Sequence, residues 1–96
     1  MTVPVEITFV SNAQRRFLMH NGNFVAIGAN GKATIQSQLN VFEVLLFGIE
    51  GIAGNTATIT LTPQAPHTLE ISSHPIQGRI AAGKTVWGDS RFFRVK

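Results

Sequence analysis

Cysteine is absent from the 96 residues, which excludes a disulfide framework and a thiolate metal site. Such a chain is compatible with a reducing cytoplasm. Charge is scarce as well: Asp, Glu, Lys and Arg make up 14% of the residues, against roughly 25% in ordinary soluble domains. So few charges do little to keep bare β-surface apart from its neighbours, and part of the surface is expected to be covered in an assembly. No apolar run reaches the ~18 residues needed to span a membrane, so no membrane partner is expected. A secretory leader is not visible either. The N-terminal M-T-V-P-V-E-I-T-F-V has no basic start, and Pro4 and Glu6 interrupt its apolar residues. Starting at Met1, the chain reads as a whole small protein made in the cytoplasm, with incorporation into a particle as one destination.

What remains is enough for one domain, residues 1–96. A chain of this length buries roughly 60–65% of its unfolded surface, so the core is modest. The formal charge of +3 and isoelectric point near 10.2 are a weak electrostatic footprint.

Turn signals punctuate the chain at short intervals. Asn21-Gly22 and Asn30-Gly31 each separate two apolar runs and suit the positive φ of a type I′ hairpin. Gly54-Asn55, Pro63 to Pro66, Ser73-His74-Pro75, Gly83-Lys84 and Gly88-Asp89 supply further breaks. Between them the hydrophobic period is two. Val3, Val5, Ile7 and Phe9 share one side, and Ala57, Ile59 and Leu61 alternate with Thr56, Thr58, Thr60 and Thr62. Eight or nine short strands follow, near 3–10, 16–20, 23–28, 32–39, 41–50, 56–62, 67–72, 76–81 and 91–95. Antiparallel hairpins at this spacing predict an all-β fold, a small antiparallel β-sandwich of the immunoglobulin-like or jelly-roll-like kind. A small β-barrel is the alternative. The Cys…Trp…Cys pattern of true immunoglobulin domains is missing.

Val41 to Ile52, V-F-E-V-L-L-F-G-I-E-G-I, departs from clean alternation. As a strand it presents Val41, Glu43, Leu45, Phe47 and Ile49 to one side and Phe42, Val44, Leu46, Gly48 and Glu50 to the other. Both sides are apolar. Asn40 and Glu43 form a loose capping box that admits a helix, but Val, Phe and Ile around a glycine favour strand. With one side in the core, Phe42, Val44 and Leu46 become candidate assembly contacts. Glu43 then needs an edge position or a partner.

Motifs for catalysis are lacking. His20, His67 and His74, with Met19, are the only candidate metal ligands, and their spacing is not that of a known site. The serines form no G-x-S-x-G elbow, the acids no evident pair, and G-A-N-G-K at 28–32 lacks the P-loop spacing. Neither an enzyme nor a cofactor is expected. The threonines at 56, 58, 60 and 62 read as the polar face of an outer strand.

The tail G-K-T-V-W-G-D-S-R-F-F-R-V-K is the remaining place for a ligand. Trp87 can stack on a sugar while Asp89 and Arg91 bond its hydroxyls, or Trp87 can cap the core. Arg91, Arg94 and Lys96 alternate with Phe92 and Phe93, a mixture suited to single-stranded nucleic acid. The two phenylalanines point to opposite faces, however, which disfavours that partner. The leading expectation is thus a non-enzymatic structural or interaction module, partnered with itself or another protein subunit, for example a phage-like virion or decoration component. A carbohydrate-binding module using Trp87 is the second reading, and a small single-stranded nucleic-acid-binding barrel the third.

Overall fold

The computed structural model describes all residues, Met1–Lys96, and contains nine strands and no helix. Residues 42–50 are therefore strand, with Val41 just outside it. In chain order the strands are β1 (Thr2–Ser11), β2 (Arg15–His20), β3 (Asn23–Phe24), β4 (Lys32–Gln38) and β5 (Phe42–Glu50). They continue with β6 (Thr56–Pro63), β7 (Leu69–Ile71), β8 (Ile76–Arg79) and β9 (Val86–Val95).

Two antiparallel sheets pack face to face. The first has the order β4-β1-β6-β8 and the second β3-β2-β5-β9-β7. Apart from one parallel bridge, Leu39 to Val95, the sheets remain separate and do not close, so the fold is a sandwich and not the alternative barrel. Alternation explains the core. The inward residues of β1, Val3, Val5, Ile7 and Phe9, are buried, as are Ala57, Ile59 and Leu61 of β6. From the second sheet Leu18, Leu45, Phe47, Ile49, Phe93 and Val95 meet them.

Only one predicted hairpin forms between strands adjacent in sequence. His20 pairs with Asn23 across Asn21-Gly22, whose φ values of 49° and 84° are both positive, as a type I′ turn requires. Every other connection carries the chain from one sheet to the other. Asn30-Gly31 is thus not a hairpin turn. It crosses between sheets and is held where the Phe9 N–H donates to the Gly31 carbonyl at 2.8 Å.

Two strand boundaries and one strand position differ from the sequence expectation. The run 23–28 is strand only at Asn23–Phe24; one more bond, from the Val25 N–H to the Leu18 carbonyl at 2.9 Å, follows before the chain leaves β2, with Val25 and Ile27 packed against the core. The last strand begins at Val86, not 91, and Gly88-Asp89 lies inside it. Gly88 sits opposite Gly48 of β5, and a Cβ on Gly48 would lie 2.8 Å from the Trp87 carbonyl oxygen. Glycine here serves close backbone approach within a sheet, which from sequence looks like a turn. Finally, β6 is an interior strand between β1 and β8, so its threonines belong to the middle of an outward face.

Candidate interaction face

The two outward faces of the sandwich have opposite character. On the four-stranded sheet the outward positions hold Glu6, Thr8, Thr34, Gln36, Thr58, Thr60, Thr62 and Gln77, with Pro4 and Val10 the exceptions. On the five-stranded sheet Phe17, Phe24, Phe42, Leu46, Val86 and Phe92 are between 41% and 78% exposed. Half-buried Met19 and Val44 join them into one surface.

Strand register orders this apolar face into five rows. Arg15, Glu50 and Val86 form the first; Phe17, Gly48 and Gly88 the second; Phe24, Met19, Leu46 and Ser90 the third. Val44 and Phe92 form the fourth, and Phe42, Arg94 and Glu70 the fifth. The two glycines of the second row leave a hollow. A shallow groove of about 400 Å³ opens there, walled by Phe17, Leu46 and Val86.

Charge is confined to the end rows and is compensated in each. The Arg15 Nε lies 3.7 Å from Glu50. At the other end Arg94 donates two hydrogen bonds to the Glu70 Oε1, at 2.6 and 3.1 Å, and its guanidinium stands 4.6 Å from the Phe42 ring centroid. Lys96 approaches the same carboxylate. The hydrogen bonds from Arg94 hold Glu70 below its ordinary value.

The candidate contacts Phe42, Val44 and Leu46 all lie on this outward face, on the central strand. The opposite side of β5 is core, and the reason Glu43 can be there was only half visible in the sequence. Its Oε1 is 2.8 Å from Nε2 of His20, and its Oε2 accepts the Gln38 N–H at 3.2 Å. The His20 ring in turn lies against Phe93. Burial pushes the Glu43 carboxyl up, but the bonds from His20 and Gln38 outweigh it and leave the group below 4.5. An acid on the apolar side of a strand signals that a partner is needed; which residue answers depends on the β2–β5 register.

Trp87, Asp89 and Arg91 share the inward side of β9. Trp87 packs on Phe47, with ring centroids 5.7 Å apart, and lies on Gly78 of the other sheet, where any Cβ would strike the indole. This is the core-capping role. Asp89 accepts from Arg91 at 2.6 Å and from the Ser90 N–H at 2.8 Å. Those bonds, Arg91's first, hold its carboxyl below the ordinary value. Arg91 also donates to the Ser90 carbonyl. Indole and ion pair are therefore engaged with the protein itself.

The histidines are not gathered. His20 is paired with Glu43, while the Nε2 of His74 accepts the Leu61 N–H at 2.9 Å, extending the β6 ladder past the end of β8. A second groove, about 420 Å³, runs along the β2 edge between Arg15–Phe17 and Val25–Ile27. Its Arg16 donates to the Phe9 carbonyl. No protein-family model, curated protein or solved structure matches the chain.

Proposed function

We propose that the chain is a non-enzymatic structural or interaction module of a homo-oligomer or larger protein assembly, with the outward face of the five-stranded sheet as its contact surface. The contrast between the two outward faces carries this reading. One sandwich, one composition and one solvent would give two polar faces; here Thr and Gln cover one while Phe, Leu and Val cover the other. Taking ~200 Å² for a whole phenylalanine, the six exposed residues present roughly 600 Å² of apolar surface. That is the upper end of what monomers display, and patches of this size are commonly functional. A small subunit or decoration component of a particle, phage-like virions included, would use such a face.

Covalent footprinting tests the reading. Photogenerated carbene labels exposed apolar side chains, and it is applied both to purified protein and to extract of the cells that make it. Protection of Phe42, Leu46 and Phe92 in the extract, with Val10 on the polar face labelled throughout, is the expected result. Full labelling of all four residues in the extract overturns it.

A further inference from the structure

We infer that the partner of this face is a second copy of the chain, packed sheet to sheet about a two-fold axis. The axis lies between the sheets and runs across the strands along the row Met19, Leu46 and Ser90. The inference rests on the interaction reading above and names the partner.

Three features of the face argue for self-association. The first is shape. Gly88 and Phe92 stand on the same strand, two residues either side of Ser90. Rotation about an axis through the Ser90 row exchanges the row above it with the row below. Phe92 of each copy, 69% exposed, is then carried over the Gly48–Gly88 hollow of the other. A two-fold interface needs knob and hole on one surface, equally spaced from the axis, and this face has them. Sheets packing aligned stand ~10 Å apart, a gap that side chains from both faces fill by interdigitation.

The second is charge. The same rotation lays the Arg15–Glu50 row of one copy against the Phe42–Arg94–Glu70 row of the other. Each strand then lies over its own copy, so Glu50 on β5 comes to rest one strand from Arg94 on β9, while Arg15 on β2 and Glu70 on β7 stand three strands apart and keep their partners within the chain. The central three rows carry no charge at all. A face built for nucleic acid would show unpaired cations, and here both arginines already have acidic neighbours.

The third is area. One side of a standard interface buries ~800 Å². The roughly 600 Å² of apolar surface supplies its centre, and the end rows supply the polar rim.

Light scattering and sedimentation velocity on the purified full chain, from about 1 to about 300 µM, test this. The expected result is a particle of twice the 10.4 kDa chain mass. Phe92→Asp is expected to weaken it by at least ~30-fold. Gly88→Leu fills the hollow and is expected to weaken it too; circular dichroism confirms that each variant folds. Gln36→Glu, on the polar face, leaves the dimer unchanged. Because the chain has no cysteine, Ser90→Cys provides a single thiol beside the axis. A short bismaleimide is expected to link two such chains much faster than two Gln36→Cys chains. A monomer at the highest concentration overturns the second copy as partner. If extract footprinting still shows protection, the interaction reading survives with a different protein in the place of the second copy. A dimer indifferent to both Phe92→Asp and Gly88→Leu, or equal linking rates, overturns this arrangement.

Discussion

Replacing Glu43 by alanine is the sharpest perturbation of the fold. The carboxylate is 8% exposed and receives two bonds, from His20 at 2.8 Å and from the Gln38 N–H at 3.2 Å. Removing it strands both partners in a site that water reaches poorly. A hydrogen bond to a charged group contributes ~1.5–3 kcal/mol, and the two are not independent. Loss of one member of a buried pair costs about 3–5 kcal/mol; with the His20 side chain 14% exposed, this case falls at the lower end, near 3. For a domain of this size the expected fall in Tm is roughly 12–24 °C. Urea denaturation at pH 7 reads the same change as a shift in midpoint at constant slope. Glu43→Gln retains the shape but not the charge and is expected to lose about half as much. The pH dependence separates charge from packing. A carboxyl held below 4.5 when folded contributes stability that is present above 4.5 and is lost as pH falls through the depressed value. Wild type is therefore expected to lose more stability between pH 6 and pH 3 than Glu43→Gln. The matched scan cancels the acid response of Glu70 and Asp89, which the two proteins share. A Glu43→Ala midpoint within ~0.5 kcal/mol of wild type, or parallel acid profiles for wild type and Glu43→Gln, would refute the reasoning.

Two further outcomes are expected. Gly78→Val forces the Trp87 indole off the opposite sheet; overpacking of this kind costs about 1–3 kcal/mol, and tryptophan emission should shift to the red as the ring becomes wetter. An unshifted spectrum with unchanged stability would contradict the packing of Trp87 on Gly78. His74→Ala leaves the Leu61 N–H without its acceptor and is expected to cost ~1–2 kcal/mol in urea, with faster amide exchange at Leu61 than at Ile59. Equal exchange at the two amides would rule out the imidazole as the ladder's extension.

Period-two alternation made the inward residues of β1 and β6 legible, because each strand has a plainly polar side. It also put Glu43 among apolar neighbours and so called for an edge position or a partner, without identifying His20. Pairing was not legible. The turn dipeptides Asn21-Gly22 and Asn30-Gly31 are alike in sequence, yet one closes a hairpin and the other crosses between sheets. Both turns lead into a ladder; they differ in which strand receives it, β2 of the same sheet after Asn21-Gly22 and β1 of the other sheet after Asn30-Gly31. Gly88 misled for a related reason. A glycine that faces a closely approached glycine across a sheet looks locally like a glycine demanded by a turn. The apolar face was visible only along β5. Its extent needed the cross-strand register that lines up Phe17, Phe24, Val86 and Phe92 beside it.

The alternation of the chain between sheets has a consequence for how the protein is made. β1, synthesised first, is flanked by β4 and β6; β9, synthesised last, lies between β5 and β7. Nearly all stabilising pairings thus join residues far apart in the chain, the high-contact-order regime in which loop closure precedes reward and folding takes milliseconds to seconds. No nascent fragment can complete the second sheet before β9 has left the ribosome. Until then the phenylalanines of both its faces lack cover, and the same residues that suit an assembly are a hazard for premature aggregation.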